Sequence, residues 1–260
     1  MEYAAVALLA LYGLGYLVLG GADIGAGMLL FALGKGDRER RLVVSAIAPA
    51  FLGTEVWLVA TAGVLVGAFP SLEGELLTAL FPAVVTLLIG WVVRDVGLWS
   101  RGRVDARGWR TVCDVAVCAG SWTVAGAWGL VFVGAGEAGI GRAGPVPGIG
   151  SLMLAALVAA VFACHGLGYA GLRLGGAVGA RVARTAGRIG AWRLYALTSA
   201  AMALVGLGIG TRLPLLETVA DGATLAVLVP ALLVVTPFLL AAQAGMWWLF
   251  RGRVRGPGYF

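Results

Sequence analysis

The sequence predicts an all-α polytopic membrane protein, a bundle of about seven transmembrane helices. Hydrophobic residues make up 60% of the 260 residues and charged residues only 12%, which is too apolar for a soluble core with a polar surface. Several apolar runs reach the roughly 20 residues that a helix needs to cross the bilayer. These runs lack the alternation of apolar and polar residues that a membrane β-barrel requires.

Seven spans follow from the apolar runs, which charged or Gly/Pro-rich breaks separate. The first run has no basic residues before it and is too long for a secretory signal, so we expect it to stay in the mature protein. The spans are predicted at 3–33, 43–69, 77–100, 111–135, 151–174, 192–211 and 223–250. Residues 1–260 form one predicted membrane domain, with a four-helix bundle over 1–135 and a shortened three-helix bundle over 151–250.

The distribution of cations predicts the orientation of the bundle. Of the nineteen Lys and Arg residues, seventeen lie in 34–41, 94–110, 173–193 and the C-terminal tail, and the other two are Arg142 and Arg212. Cationic loops stay in the cytoplasm, so we expect the N-terminus outside and the C-terminus inside. The net charge of +6 is then explained by the topology and by attraction to anionic lipid headgroups. No nucleic-acid partner is expected.

The three cysteines are best interpreted as apolar packing residues. Cys113, Cys118 and Cys164 all fall inside predicted spans. Their spacing fits neither a disulfide framework, nor a zinc site, nor the attachment motif of a c-type haem. We therefore expect small apolar fillers and no metal site.

Five charged or titratable residues lie in or at the ends of the predicted spans. A charge in the hydrocarbon costs about 2.5–3.5 kcal/mol on insertion scales, so each is a functional candidate. The candidates are Asp23, Glu55, Arg94, Asp114 and the only histidine, His165. Facing inward together, they would form a polar seam on the cytoplasmic half. They are predicted proton-path or buried polar residues, and no catalytic residue is assigned.

Structural roles compete with these interpretations. Arg94 and its neighbour Asp95 lie near enough to the interface to snorkel, and Asp114 can stabilise the start of a helix through the helix dipole. His165 can be a packed, hydrogen-bonded histidine. Asp23 and Glu55 have side chains too short to reach water by snorkelling, so a role inside the bundle is favoured for both.

Small residues and a proline surround the two carboxylates. In "GGADIGAG", residues 20–27, Gly21 and Gly25 are spaced so that a neighbouring helix backbone can approach closely. Such an approach would supply hydrogen-bond partners to Asp23. Pro49 comes shortly before Glu55, and a proline frees a backbone carbonyl that neighbours or water must satisfy. We therefore expect the inner half of the second span to be loosened and accessible to water.

Several segments in order resemble subunit II of the cytochrome bd-type quinol oxidases. The resemblance is almost continuous over 20–125 and looser over 151–185 and the last span. It rests on "GGADIGAGMLL", "DRERRLVVSAIAPAFLGTEVWLVATAGVLVGAFP", "RDVGLW", "GWRTVCDVAVCAGSW", "HGLGYAGLRLGG" and "WWLFRGRV". The family-motif positions include Asp23, Glu55, Trp57, Arg94 and Asp114, with Gly21, Gly25 and Pro49 as packing residues.

The resemblance implies a heterodimer in the bacterial cytoplasmic membrane. Subunit I of that family carries two b-type haems and haem d, oxidises quinol and reduces dioxygen. Subunit II carries no haem, supports subunit I and helps to conduct protons from the cytoplasm. A small single-span subunit, membrane lipid and an interfacial quinone are further partners that the resemblance allows. A lone His165 agrees with this, because it cannot supply the axial ligands of three haems.

The sequence departs from the family pattern at the expected proton path. Gly20 stands where an acidic residue is usual, and Ala50-Phe51-Leu52-Gly53 replaces a His-Trp-Asp-Gly sequence. Two of the usual nine spans are missing from the second half. The chain is therefore identified as a shortened, divergent member, with either a reduced proton path through Glu55 and Asp23 or a scaffolding role.

Two other classes of function compete with the oxidase subunit. A small proton- or cation-coupled transporter would use the same carboxylates, but it should show interrupted helices in corresponding positions of two repeats. A membrane scaffold would have no chemistry. Copurification of haem would distinguish an oxidase subunit from a transporter and from a scaffold.

The predicted topology can be tested by labelling introduced cysteines in intact cells. Cysteines at Gly36 and Ala106 should be shielded from an impermeant thiol reagent added outside, because both lie in cation-rich loops. A cysteine at Gly144 should react. Labelling of Ala106→Cys from outside would overturn the seven-span orientation.

Overall fold

A computed structural model describes residues 1–137, 148–254 and 256 of the chain. Within these residues the chain forms ten α-helices and a short 3-10 helix, Gly187–Ile189. The helices are α1 Glu2–Met28, α2 Leu30–Leu33, α3 Asp37–Ala68, α4 Pro70–Ala79, α5 Phe81–Ser100, α6 Arg107–Glu137, α7 Ile149–Arg173, α8 Gly176–Ala186, α9 Ala191–Gly210 and α10 Gly222–Leu249.

Seven of these helices are long and apolar enough to cross a membrane, which confirms the predicted all-α polytopic fold. They are α1, α3, α5, α6, α7, α9 and α10. Each predicted span corresponds to one of these helices, although the first span runs past the end of α1 and the third begins inside α4. The orientation of the termini stays a prediction. Arg142, Gly144 and most of the predicted outer loop lie outside the described residues.

The first and third predicted spans are broken in the structure. The run predicted over 3–33 ends as α1 at Met28, and α2 follows after a break at Leu29. The span predicted over 77–100 is preceded by α4 and begins as α5 at Phe81. A proline lies in the first turn of both α4 and α5, where its missing N–H costs no helical hydrogen bond.

The glycine-rich stretch around Asp23 and the proline predicted to loosen the second span both lie inside continuous helices. The glycine-rich stretch around Asp23 continues α1 as far as Met28, and α3 runs from Asp37 to Ala68 with Pro49 inside it. Close packing stabilises both segments, since helices in a bundle gain most of their stability from tertiary contacts. Pro49 therefore removes one hydrogen-bond donor from α3 without ending the helix.

Helix α1 lies at the centre of the bundle and packs against α3, α6, α7 and α9. Its second half is buried continuously from Gly20 to Met28. The contact with α7 is backbone to backbone, because a Cβ atom at Gly25 would lie 1.9 Å from the carbonyl oxygen of Phe162, and one at Gly166 would lie 2.0 Å from Gly25. At Gly21 the neighbour is the side chain of Met202.

The division into two bundles stays a prediction. Helix α1 from the first predicted bundle packs on α7 and α9 from the second, and α3 packs on α10. Two buried apolar clusters run across this boundary. One centres on Tyr12, Trp57 and Phe162, and the other on Leu30, Phe51 and Tyr169.

We expect Gly25→Ala to destabilise the protein by about 1–3 kcal/mol, because an added methyl group overpacks the contact between α1 and α7. The measurement is the fraction of chain that stays monodisperse after heating in mild detergent. Gly63→Ala is the control, because a Cβ atom there meets nothing within 4 Å and alanine favours the helix. Equal heat resistance of the two variants would contradict the close approach.

Candidate functional site

Asp23 lies buried where α1, α3 and α5 meet, and it has two partners. Its Oδ1 forms an ion pair with Arg94 Nη2 at 3.0 Å, and its Oδ2 accepts a hydrogen bond from Thr54 Oγ1 at 3.0 Å. The side chains of Asp23 and Arg94 are only 3% and 2% exposed. A buried carboxylate without such a pair would be strongly destabilising, so α1 depends on the two neighbouring helices.

Arg94 links Asp23 to a second carboxyl group, and a third lies beside that one. Its Nη1 donates to Asp95 Oδ1 at 2.8 Å, and the Glu55 side chain lies beside Asp95. Glu55 Oε1 is buried and has no hydrogen-bond donor among the described residues. One buried guanidinium thus pairs with two carboxyl groups, and a third lies beside them. We call Asp23, Glu55, Arg94 and Asp95 the Arg94 cluster.

The snorkelling alternative for Arg94 does not hold in the structure. The guanidinium turns inward, and its carbon lies 6.0 Å from the centroid of the Phe51 ring. Asp95 remains partly exposed, with 20% of its side chain accessible. Glu55 is also partly buried, so the Arg94 cluster extends from the buried interior at Asp23 to the surface of the bundle at Glu55.

Asp114 lies in a second charged cluster, at the end of the bundle that carries the cationic loops. Its Oδ2 accepts from Arg40 Nε at 2.7 Å, and its Oδ1 accepts from Arg101 Nε at 2.6 Å. Arg101 also pairs with Asp37 at 2.9 Å, and Arg110 pairs with Asp37 at 3.2 Å. We call these five residues the Asp114 cluster.

Asp114 does not lie at the start of a helix, as the helix-dipole alternative requires; it pairs with two arginines instead. Asp114 lies in the second turn of α6, after Arg107 at the start of the helix. Its carboxylate is fully buried between two arginines, and Arg101 itself is 1% exposed. The Asp114 cluster therefore ties the start of α3 to the end of α5 and the start of α6.

His165 lies apart from both charged clusters. Its Nε2 is 2.8 Å from the Val18 carbonyl oxygen, its Nδ1 is 2.7 Å from Thr198 Oγ1, and its ring stacks on Tyr195. Because the carbonyl can only accept, Nε2 carries a proton. Both ring nitrogens are engaged, so this histidine fits the packed, hydrogen-bonded alternative and does not fit an axial ligand of haem.

Trp57 packs between α1 and α10. Its Nε1 donates to Gln243 Oε1 at 3.0 Å, and its ring covers Gly15 and meets Tyr12 edge to face. A Cβ atom at Gly15 would lie 2.1 Å from the Trp57 ring. Trp57 is thus a packing residue that holds the last span against the first.

The structure brings Asp23, Glu55 and Arg94 together, but the predicted seam is two separate clusters with His165 elsewhere. Asp114 contacts other arginines, and the functional roles of all five residues stay predictions. Sequence reasoning missed Thr54, Arg40 and Arg101. Thr54 sits immediately before Glu55, and Arg101 and Arg40 were counted only as loop cations. Nothing in the sequence around Thr54 indicates that its hydroxyl would bond to Asp23.

The described part of the chain contains no group of three or more His, Cys, Asp and Glu residues that could hold a metal ion. The cysteines are unpaired with one another, and Cys118 Sγ lies 3.4 Å from the Met28 carbonyl oxygen. Charge pairing is the chemistry that the two clusters offer.

We expect Asp114→Asn to destabilise the protein by about 3 kcal/mol, because it leaves the buried charge of Arg101 incompletely paired. Thermal unfolding of the detergent-solubilised protein measures the loss. Asp105→Asn is the matched control, since Asp105 is fully exposed and also pairs with an arginine, and exposed pairs are worth about 0–1 kcal/mol. A similar change in the two variants would show that the Asp114 cluster adds little to stability.

The chain is similar to a known protein family over nearly its whole length. The model of the family "Cytochrome bd terminal oxidase subunit II" matches residues 1–250. Over 119 residues the chain is 32% identical to cytochrome bd-I ubiquinol oxidase subunit 2 of Escherichia coli (strain K12), covering 46% of this chain and 31% of the relative. Over 125 residues it is 34% identical to cytochrome bd ubiquinol oxidase subunit 2 of Bacillus subtilis (strain 168), covering 48% and 37%.

A third relative is named probable cytochrome oxidase subunit 2 and comes from Haemophilus influenzae (strain ATCC 51907 / DSM 11121 / KW20 / Rd). It is 32% identical over 119 residues, which are 46% of this chain and 32% of the relative. The matched stretches thus span only about a third of the length of these curated relatives. The family model, by contrast, matches nearly the whole chain, from α1 to the end of α10. The chain belongs to the cytochrome bd terminal oxidase subunit II family.

Proposed function

We propose that this chain is the haem-free subunit of a bd-type quinol:oxygen oxidoreductase in a bacterial cytoplasmic membrane. Family membership and seven apolar helices support a place in such a complex. Haem b and haem d would be held by subunit I, which would carry out the redox chemistry. The engagement of both nitrogens of His165 supports the absence of haem ligation here.

We propose further that the Arg94 cluster passes protons toward subunit I. The observation that carries this is a cluster of three carboxyl groups with one buried guanidinium, which pairs with two of them. If all three were ionised, the buried cluster would hold two uncompensated negative charges, which is costly in a membrane interior. The cluster therefore has room for protons while the ion pair between Asp23 and Arg94 holds its helices together.

Glu55 is the proposed point of transfer to subunit I. It lies on α3 among residues that face outward, and Leu52 and Val56 are each 50% exposed. Val92 and Val96 of α5, on either side of Asp95, are also exposed. Subunit I would cover this face, shielding Glu55 from lipid, with membrane lipid or quinone at the edge of the interface. A small single-span subunit is a further possible component of the complex.

The transporter alternative gains no support from the helix geometry. That alternative requires interrupted helices in corresponding positions of two repeats, and α3, the span that contains Pro49, is one continuous helix. A scaffolding role remains the competing interpretation for Asp23, since its ion pair and its bond from Thr54 would be equally useful in a passive subunit. Removal of the protonatable groups at Asp23 and Glu55 separates conduction from scaffolding.

We expect Glu55→Gln to slow quinol-driven oxygen consumption by about tenfold, an added barrier of about 1.4 kcal/mol, because glutamine cannot carry a proton through the cluster. The measurement uses the assembled oxidase, with haem content determined on the same samples. Asp23→Asn should slow turnover in the same way where the complex still assembles.

Glu75→Gln is the matched control, because Glu75 lies exposed on α4 and outside the cluster. It should leave oxygen consumption unchanged. Full turnover in a double variant, Glu55→Gln with Asp23→Asn, at normal haem content would assign the cluster a structural role only.

A further inference from the structure

Helix α8 is too short to cross a membrane and packs at one end of the bundle. Its 11 residues rise about 17 Å, whereas the hydrocarbon is roughly 30 Å thick. Its buried residues are spaced by four and form one apolar face: Val178, Val182 and Ala186. Arg181 fixes the helix to the start of α3 through an ion pair with Glu39. We therefore expect α8 to lie at the level of the lipid headgroups.

Three exposed arginines follow one another where α8 turns into α9. They are Arg184, Arg188 and Arg193. Among residues 1–137, 148–254 and 256, none of the three forms an ion pair with a carboxylate. The sequence gives the reason, because it contains no Asp or Glu between Glu137 and Glu217. We call residues 184–193 the α8–α9 corner.

The other cation-rich segments before α8 contain acids of their own. Residues 34–41 hold two acids, and residues 94–110 hold two more: Asp37, Glu39, Asp95 and Asp105. Each of these four carboxylates pairs with an arginine. The α8–α9 corner has no acid of its own, so the anion that balances its charge comes from its surroundings.

Large apolar side chains are exposed beside the arginines. Trp192, in the first turn of α9, is 66% exposed, and Ile189 is also exposed. Tryptophan concentrates where membrane and water meet, and α9 is long and apolar enough to cross the membrane. From Arg188 through Trp192 to the exposed Leu197, the side chains change from cationic to amphipathic to apolar. This is the order of headgroup, interface and hydrocarbon in a leaflet.

We propose that the α8–α9 corner binds the phosphate groups of anionic phospholipids in the adjoining leaflet. Charge complementarity selects this partner, because arginine binds phosphate oxygens through paired N–H groups and these arginines have no acid to compete for them. An acidic protein segment would match the charge, but Trp192 and Ile189 favour a ligand with an apolar part beside its anion. The site is independent of proton conduction, since it requires only that α9 spans the membrane.

Removing the three charges tests the site. The measurement is the binding of phosphatidylglycerol to the full-length protein, isolated in mild detergent, by native mass spectrometry. The triple variant Arg184→Gln, Arg188→Gln, Arg193→Gln should bind this lipid about 100-fold more weakly, because each arginine near an anionic surface contributes about fivefold. Binding of the zwitterionic phosphatidylcholine should not change.

A second triple variant is the matched control. Arg38→Gln, Arg103→Gln, Arg107→Gln removes the same charge from exposed arginines in the acid-containing segments, and it should bind phosphatidylglycerol with nearly the parental affinity. In the parental protein, raising the salt from about 0.1 to about 1 M shortens the Debye length from about 10 to about 3 Å. Phosphatidylglycerol should then bind more weakly, and phosphatidylcholine should bind as before.

The outcomes separate a lipid site from its alternatives. Equal weakening in the two triple variants would show a response to net charge alone and would overturn the site. Unchanged lipid binding in the corner variant would also overturn it, and loss of an accompanying subunit from that variant would assign the corner to an acidic protein partner. If the corner variant does not fold, the double variant Arg188→Gln, Arg193→Gln replaces it, with an expected loss of about 25-fold.

Discussion

The ion pair between Asp23 and Arg94 is the constraint on which the first half of the bundle depends. Two opposite charges in a nearly water-free interior must remain together, because either one alone would cost several kcal/mol. The pair joins α1 to α5, and Thr54 of α3 completes the contact. The close approach of α1 and α7 at Gly25 buries the neighbouring part of α1.

The two charged clusters differ in the balance between their acids and bases. The Asp114 cluster matches three arginines with two aspartates, and its arginines are fixed by short ion pairs. The Arg94 cluster has the opposite imbalance, with three carboxyl groups around one arginine. A carboxyl-rich buried site can change its proton content, whereas an arginine-rich site holds its charge permanently.

The sequence predicted the fold closely and the site only in part. Seven apolar runs have the length that the bilayer demands, so the number of spans could be derived from composition and spacing. Asp23, Glu55 and Arg94 were identified because charge inside a span is expensive. Their grouping, the separate position of His165 and the part played by Thr54 depend on helix rotation and on contacts between distant segments, which no local pattern encodes. The breaks at Leu29 and before Phe81 depend on similar details of packing.

The distance along the chain between Asp23 and Arg94 affects how the protein is made. Ribosomes add about 5–20 residues per second, so the partner of Asp23 emerges about 4 to 14 s after the carboxylate itself. During that interval α1 carries an unpaired acid and has no α7 against which its glycines can pack. The nascent first helix is therefore poorly suited to lipid on its own, and we expect it to remain beside the insertion machinery until α5 has been synthesised.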